Sequence, residues 1–296
     1  MQTALVTGIN GFTGLHLVPE LQRTGFSVTG IGQESSKLIG ASYINCDLTD
    51  RKSTIDAVTP LCPDVVIHLA GVAFAVQDDV EPLYRTHVLG TRNLLEALAL
   101  CSRAPRAVLL ASSAQVYGNA AVTPITETAT PAPANDYAVS KLAMEYMSRL
   151  WLDRLPIIIA RPFNYTGYGQ SLQFLLPKIV DHFRRRAVAI ELGNLEVVRD
   201  FTDVRTLVRI YRRLIESASG GDVYNVCSGI GHSLQDVIAI MHDLSGHNLE
   251  VVVNPTFVRK NEIRKLIGSH EKLEVAIGPV DSIPLQETLR WMLEAD

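Results

Sequence analysis

The chain has 296 residues, of which 47% are hydrophobic and 20% charged, and its formal net charge is −4 at pH 7. These ordinary globular values exclude disorder, collagen-like repeats and coiled coil as descriptions of the whole chain. The mildly acidic balance argues against a nucleic-acid partner, which would require a basic excess on one face.

The four cysteines, Cys46, Cys62, Cys101 and Cys227, are scattered singly along the sequence. They form no CxxC pair, so neither a zinc site nor a thioredoxin-like motif is expected, and no metal is predicted. The first residues lead into an apolar strand rather than a signal peptide. No uncharged apolar run approaches the ~20 residues that span a bilayer. We therefore expect a cytoplasmic protein with no membrane partner.

Apolar, strand-like runs alternate with helix-like periodic segments along the first half of the chain. Strands are predicted at 4–7, 27–31, 64–69, 107–111 and 156–160, and helices at 13–23, 84–101 and 136–152. This alternation predicts βαβ units in an α/β fold with a doubly wound, mostly parallel sheet of Rossmann type.

The pattern becomes irregular after Arg161, with helices predicted at 175–186 and 234–244 and a strand at 223–228. A length of about 150 residues per domain suggests two domains. We predict a dinucleotide-binding domain over 1–165, to which later strands around 200–230 return. A smaller, interleaved α/β domain over 166–296 would bind substrate.

A glycine-rich segment, TGINGFTG, follows the first predicted strand. Gly8, Gly11 and Gly14 form a GxxGxxG pattern, which permits a tight turn and close approach of the backbone to a pyrophosphate. The helix that follows offers free N–H groups and its positive dipole end to that anion. A glycine-rich turn without a ligand is the alternative, but the strand before and the helix after favour a dinucleotide site.

The end of the second predicted strand bears on the choice of cofactor. An acidic residue there usually binds the ribose hydroxyls of NAD, but this chain has Gly32, followed by Gln33 and Glu34. Without a carboxylate the 2′-phosphate of NADP is not repelled, so NADP(H) is favoured. Glu34 could compensate, so NAD(H) stays possible. Asp47 could contact the adenine, or it could cap the next helix.

Tyr137 and Lys141 stand four residues apart at the start of a predicted helix, so they share one face. A nearby ammonium lowers the pKa of a tyrosine from its usual value near ~10, and the pair could then transfer a proton at a carbonyl or hydroxyl oxygen. Ser113 follows a strand at its carboxyl end, where ligands bind in open α/β sheets. It could hydrogen-bond the reacting oxygen, or it could simply cap a loop.

Further motifs point the same way: HLAG at 68–71, SSAQVYG at 112–118, YAVSK at 137–141, RPFNYTGYGQ at 161–170, RDFTDV at 199–204 and YNVCSG at 224–229. With TGINGFTG, they resemble the extended short-chain dehydrogenase/reductase (NAD-dependent epimerase/dehydratase) superfamily over almost the whole chain. Within it, the sequence is most similar to the GDP-4-keto-6-deoxymannose reductases, which make GDP-rhamnose.

The resemblance implies a role for each matching residue. Ser113, Tyr137 and Lys141 would form the catalytic triad, and Lys141 would also hold the nicotinamide ribose. The implied cofactor contacts are Gly8, Asn10, Gly11, Phe12, Thr13, Gly14, Gly32, Asp47, Leu48, Leu69, Ala70, Gly71, Tyr137, Lys141 and Arg161. The implied nucleotide-sugar contacts are Ser113, Gln115, Asn164, Lys178, Arg199, Arg259 and Glu262, with surface ion pairs as the alternative for the charged members.

Three positions distinguish this chain from its relatives. The family usually has Asn where THVLGT carries His87, and many relatives have Arg-Pro where this chain has Arg259-Lys260. Related 4,6-dehydratases carry a carboxylate two residues before the tyrosine of VYG, where this chain has Gln115. An amide is no general base near neutral pH, so no dehydratase activity is expected.

The implied reaction is hydride transfer from NAD(P)H to the C4 ketone of a nucleotide-linked 4-keto-6-deoxyhexose, with the GDP-linked mannose derivative giving GDP-rhamnose. A nucleotide-sugar 4-epimerase with retained NAD uses the same triad and stays open. The intact triad argues against a non-catalytic dinucleotide sensor.

The predicted helix at 136–152 carries two apolar stripes, so it is expected to pack against two partners. The sheet would cover one stripe, and a homodimer interface of helices, as in many relatives, would cover the other. Internal packing alone is the alternative. The two stripes are Met144, Met147 and Trp151, and Leu142, Tyr146 and Leu150.

Overall fold

The computed structural model of the chain describes residues 1–34, 40–73, 79–257 and 263–295. The strands in these ranges are β1 (Gln2–Thr7), β2 (Phe26–Gly32), β3 (Ser42–Asn45), β4 (Val65–His68), β5 (Ala107–Ala111), β6 (Ile157–Pro162), β7 (Asn164–Thr166), β8 (Ala189–Leu192), β9 (Val198–Asp203), β10 (Val223–Val226), β11 (Gly231–Ser233), β12 (Glu250–Val253) and β13 (Lys265–Leu266). The α-helices are α1 (Phe12–Arg23), α2 (Arg51–Val58), α3 (Glu81–Tyr84), α4 (Thr91–Ala99), α5 (Asp136–Ser148), α6 (Leu175–Arg184), α7 (Val204–Ser217), α8 (Leu234–Ser245), α9 (Glu271–Ile277) and α10 (Leu285–Glu294).

Seven parallel strands form the central sheet, in the order β10-β6-β5-β4-β1-β2-β3. Every residue of β4 and β6 is buried, because helices cover both faces of the sheet. The strand order reverses between β1 and β4, and such a reversal opens a crevice at the carboxyl ends of the strands. The predicted doubly wound α/β fold is confirmed.

Two apolar cores lie on opposite faces of this sheet. On one face α1 and α7 pack through residues such as Leu17, Leu207 and Tyr211. On the other face α4 and α5 pack through Leu94, Leu98 and Met144. The cores fix the position of α1 and α5, whose first turns both lie at the carboxyl edge of the sheet.

Most of the described strands after β6 form two smaller sheets. β9 pairs with β7, β11 and β13, and β8 pairs with β12. Of the later strands predicted to return to the first sheet, β10 lies at its edge, whereas β9 joins the smaller sheet. The last four residues of β9 are all buried, including the charged Asp200 and Asp203.

The predicted helix at 84–101 is interrupted. A π-helical segment, Arg85–Gly90, stands between α3 and α4. The predicted helix at 136–152 ends its α-helical part at Ser148 and continues as a 3-10 turn, Arg149–Trp151. Among the described residues, every helix is too short or too polar to cross a lipid bilayer.

The two apolar stripes of α5 have different surroundings. Met144 is buried in the core, and Met147 and Trp151 pack against it. Tyr146 and Leu150, from the other stripe, are 54% and 79% exposed. The sheet therefore covers one stripe and leaves part of the other on the surface.

Candidate active site

The turn between β1 and α1 is shaped for close approach of a ligand. Gly8 has φ +67°, and a Cβ there would stand 2.7 Å from the Ala70 nitrogen, so only glycine fits. Gly11 is the N-cap of α1 and provides no side-chain cap. A side chain at Gly14 would collide with the backbone of Ile9. The first N–H groups of α1 therefore face a side-chain-free hollow, which fits a dinucleotide pyrophosphate.

The turn after β1 and the neighbouring strand β3 each add an unpaired polar atom near Gly32, at the end of β2. The Asn10 Nδ2 donates to the Glu34 carbonyl over 3.0 Å. Within the described ranges, the Asn10 Oδ1 and the Tyr43 hydroxyl are buried without a hydrogen-bond partner. The Tyr43 hydroxyl stands 3.0 Å from where a Cβ of Gly32 would lie. Buried orphan atoms of this kind call for a polar ligand, so these residues fit the adenosine ribose of a cofactor.

The other predicted cofactor residues divide into lining and core positions. Phe12 stacks on Tyr165 with ring centroids 6.0 Å apart, and the Thr13 hydroxyl hydrogen-bonds the Tyr165 hydroxyl over 2.9 Å. Leu48 is buried, and its carbonyl accepts from the Asn93 amide. The structure thus connects the start of α1 to β7, a link that the sequence analysis missed.

Asp47 is exposed at the end of β3, beyond the carboxyl end of β2. Partial burial opposes its ionisation, but hydrogen bonds from Thr49 and Gln33 and the charge of Arg85 lower its pKa overall. It is therefore an anion beside the cofactor hollow. Leu69 and Ala70 are half-buried after β4, and Gly71 is exposed there.

The three predicted catalytic residues meet at the carboxyl edge of β5. Asn135 caps α5 by accepting from the Ala138 N–H, which places Tyr137 in the first turn. One turn later, the Lys141 Nζ donates to the Ala111 carbonyl over 2.9 Å and lies 6.0 Å from the Tyr137 ring centroid. Ser113 is 7% exposed; its hydroxyl caps a 3-10 turn by accepting from the Gln115 N–H over 3.2 Å, and it opposes the rise that burial causes in the pKa of Tyr137.

Burial dominates the titration of this trio. It lowers the pKa of Lys141 to about 8, and the charge of Glu145 opposes that fall. Burial also raises the pKa of Tyr137 well above its usual value, and the hydrogen bond from Ser113 opposes that rise. At neutral pH the site therefore holds a protonated phenol beside a mostly charged ammonium, which can supply a proton and stabilise the phenolate left behind.

A buried ion pair between Arg161 and Glu145 lies next to the three catalytic candidates. The Arg161 Nε and Nη2 donate to the two carboxylate oxygens of Glu145 at 2.9 and 2.6 Å, and the Arg161 Nη1 donates to the Tyr117 hydroxyl at 2.9 Å. Ser112 donates to the same carboxylate. The two serines thus differ: the Ser112 hydroxyl donates to Glu145, whereas the Ser113 hydroxyl accepts from the Gln115 N–H.

The side chain of Arg161, a predicted cofactor contact, lies inside the protein, and the contact itself stays a prediction. The side chain is 4% exposed, and three of its nitrogens are already hydrogen-bonded inside the protein. The structure therefore assigns Arg161 to the interior, as the partner of Glu145. The sequence analysis missed Glu145, although its place four residues after Lys141 continues the spacing from Tyr137.

The predicted substrate residues lie at different distances from this centre. The Gln115 Oε1 accepts from the Asn135 amide, beside the start of α5. Asn164 and Arg199 stand on the paired strands β7 and β9. The Lys178 Nζ, on α6, donates to the Glu191 carbonyl and lies 4.9 Å from the Phe257 ring centroid.

Arg259 and Glu262 lie outside the described residues. A further carboxylate on β9 was not anticipated: Asp200 is fully buried and accepts from the Ser228 and Gly229 N–H groups, each over 2.8 Å. The RDFTDV motif contains this residue, so the motif itself was the available signal. Asp200 holds the turn after β10 against β9.

Comparisons with known proteins agree with this geometry. The model of the NAD dependent epimerase/dehydratase family matches residues 4–227. The GDP-6-deoxy-D-talose 4-dehydrogenase of Aggregatibacter actinomycetemcomitans is 34% identical over 93% of this chain and 90% of its own length. The GDP-6-deoxy-D-mannose reductase of Pseudomonas aeruginosa is 34% identical over 99% of this chain and 96% of its own length.

Two solved structures are similar over the whole chain. The structure of RMD from Pseudomonas aeruginosa, complexed with NADPH, has a TM-score of 0.87 and 33% identity, covering 99% of this chain and 98% of that one. A candidate epimerase from Burkholderia cenocepacia J2315 has a TM-score of 0.94 and 47% identity, covering 99% of this chain and 97% of that one.

Proposed function

We propose that this chain, which belongs to the NAD dependent epimerase/dehydratase family, reduces the C4 ketone of a GDP-linked 4-keto-6-deoxyhexose. The preferred substrate is GDP-4-keto-6-deoxymannose, and the product is GDP-rhamnose. The observation that carries the proposal is the position of Tyr137, which lies between Ser113 and Lys141 beside the dinucleotide hollow.

Two curated relatives support the choice of substrate. Both are named for GDP-linked 6-deoxyhexoses, one a talose 4-dehydrogenase and the other a mannose reductase. These two sugars differ only in their configuration at C4, and the name of the talose enzyme gives C4 as the carbon that it oxidises. The NADPH in the Pseudomonas aeruginosa structure supports NADPH as the reductant, and NADH stays possible because of Glu34.

Each member of the trio has a distinct task in this reaction. NADPH, when bound, supplies the hydride that becomes the C4 hydrogen. Ser113 orients the ketone oxygen, and Tyr137 gives that oxygen its phenolic proton, which completes the alcohol. Lys141 stabilises the resulting phenolate by its charge. Burial keeps the pKa of Tyr137 high, so the proton is present at neutral pH before the reaction.

The chain offers an amide where a dehydratase would require a base. Gln115 lies at the rim of the trio and accepts a hydrogen bond from Asn135. An amide cannot take the proton from C5 that must leave before water is lost from C6. General-base assistance contributes about 10²–10⁴-fold to a rate, so the proposed activity ends at reduction.

Recognition of the nucleotide is expected from polar and charged side chains in the second half of the chain. We propose that Asn164, Lys178, Arg199, Arg259 and Glu262 contact the GDP moiety. Arginine side chains suit a diphosphate because they can donate two parallel hydrogen bonds.

A 4-epimerase is the second candidate, favoured by the likeness to the Burkholderia cenocepacia protein. An epimerase returns the hydride to the sugar and consumes no cofactor. A reductase consumes one NADPH per product. The stoichiometry of the cofactor therefore separates the two.

The direct test is to incubate the protein with NADPH and GDP-4-keto-6-deoxymannose and to follow nicotinamide absorbance and product mass. We expect one NADPH oxidised per GDP-6-deoxyhexose formed, and no reaction with GDP-mannose. Interconversion of nucleotide hexoses without net NADPH loss would favour the epimerase. Conversion of GDP-mannose to the keto sugar at an enzymatic rate would overturn the assignment to reduction.

A further inference from the structure

His87 occupies the centre of the π-helical segment Arg85–Gly90 and is 1% exposed. Single π-helical turns often mark functional sites in proteins. The residue stands where the family usually has Asn, and the proposed reaction does not use it.

The hydrogen bonds of His87 fix its tautomer. The Val72 N–H donates to the His87 Nε2 over 3.1 Å, so this nitrogen is an acceptor. The Nδ1 must then carry the proton, which it donates to the Ser140 hydroxyl over 2.8 Å. Burial and the charge of Lys141 lower the pKa of His87 to about 2. The ring is neutral at every physiological pH.

The chain of hydrogen bonds, called the relay below, continues from Ser140 to Tyr137 in the first turn of α5. The Ser140 hydroxyl donates to the Tyr137 carbonyl over 2.8 Å. The His87 ring also meets the Tyr137 ring edge to face, with centroids 5.6 Å apart. The imidazole of His87 therefore contacts the ring of Tyr137 directly and its main chain through Ser140.

The other end of the relay reaches the loop after β4. A Cβ on Gly71 would lie 3.0 Å from the His87 Nε2 and 3.3 Å from the Lys141 Nζ. The loop at Gly71 and Val72 thus passes directly over the imidazole and the catalytic ammonium. A shift of the loop would strain the bond between Val72 and His87, and a shift of the first turn of α5 would strain the bond between His87 and Ser140.

We propose that His87 is a positioning residue that ties the main chain of Tyr137 to the loop at Gly71 and Val72, through Ser140 on one side and the Val72 N–H on the other. It touches no reacting atom. Its effect is to hold the phenolic hydroxyl in register with the loop beside the cofactor hollow. The kinetic part of the test rests on the proposed function, and the exchange part does not.

Two substitutions separate the hydrogen bonds from the packing. His87→Phe keeps a ring against Tyr137 but removes both bonds, whereas His87→Asn keeps one donor and one acceptor but removes the ring. We expect His87→Phe to lower kcat about 10- to 100-fold, since small displacements of a catalytic group have effects of this size. His87→Asn should retain several-fold more activity than His87→Phe. The reverse order would show a packing role and overturn the proposal.

A double-mutant cycle tests the connection through Ser140. Ser140→Ala breaks the middle of the relay, so it should lower kcat in the same direction with little change in KM. The double variant His87→Phe/Ser140→Ala should be no slower than His87→Phe alone, because the relay is already broken. Losses that simply multiply would show that the two residues act independently and would overturn the relay.

The structural part of the test uses the protein without substrate. Amide hydrogen exchange at Val72 should be faster in His87→Phe than in the parent, and His87→Asn should restore most of the protection. Unchanged exchange at Val72 would overturn the proposal. If the parent turns over no nucleotide sugar, the proposed function fails, but the exchange result still decides the role of His87.

Discussion

Replacing Lys141 by methionine should make the protein more stable and inactive. The Lys141 side chain is 6% exposed, and burial lowers its pKa from 10.5 to about 8. At about 1.4 kcal/mol per pH unit, this fall means that the charged form costs the fold about 3 kcal/mol at pH 7. Lys141→Met removes this cost and keeps a side chain of similar length. It also leaves the Ala111 carbonyl without its donor, which costs about 1–3 kcal/mol, so the net gain is about 0–2 kcal/mol.

The difference in unfolding free energy between the parent and Lys141→Met should depend on pH. The folded pKa of Lys141 lies below its unfolded value, so between about pH 8 and 10.5 the unfolded chain binds more protons than the folded one. The parent therefore gains stability as the pH rises through this window, whereas Lys141→Met lacks this gain. The advantage of the variant should shrink by about 1 kcal/mol between pH 7 and about pH 9.

Urea unfolding of parent and variant at both pH values measures these differences. Lys52→Met is the matched control, because the Lys52 side chain is 90% exposed and lies on α2, and it should change the stability by less than about 0.5 kcal/mol. A Lys141→Met variant that is less stable than the parent at pH 7, or whose advantage does not change with pH, would refute the reasoning.

Four further outcomes are expected. Tyr137→Phe should lower turnover by at least about 10²-fold with NADPH affinity unchanged in fluorescence titrations; near-normal turnover would contradict the role of its hydroxyl. Glu145→Gln should cost about 3–5 kcal/mol in urea unfolding, because it leaves Arg161 buried and unpaired, whereas Glu145→Leu/Arg161→Met should cost much less; equal costs would argue against the pairing. Because Gly32 offers no carboxylate, kcat/KM should be at least as high with NADPH as with NADH, and a large preference for NADH would indicate that Glu34 binds the ribose hydroxyls. Light scattering at micromolar concentration should give a dimer mass that Leu150→Glu reduces to a monomer; a monomeric parent would refute a helix-mediated dimer.

The central sheet could be predicted well because its strands carry strong local signals. The run from Val65 to His68 is apolar at nearly every position, which is typical of a strand buried on both faces, and β5 begins and ends as expected. The cofactor hollow was equally predictable from its glycine pattern. Gly14 is required by a contact with nearby Ile9, whereas Gly8 is required by a contact with Ala70, after β4.

The remaining features depend on contacts between distant segments. Nothing near His87 in the sequence specifies a π-helical turn, which reflects its bonds to Val72 and Ser140 on other elements. The burial of Arg161 likewise depends on Glu145, which lies on a different element. Short strands such as β11 and β13, with three and two residues, carry little local signal, so their pairing partners could not be predicted.

The measurement that tests the central claim most directly uses NADPH deuterated at the transferable position of the nicotinamide. The protein is incubated with this reductant and GDP-4-keto-6-deoxymannose, and the product is analysed by mass spectrometry and proton NMR. A reductase in which Tyr137 supplies only the proton on oxygen predicts one deuterium per product, located at C4 and absent from every other carbon. A product without deuterium at C4, or a nucleotide hexose epimerised with no loss of reductant, would contradict the account.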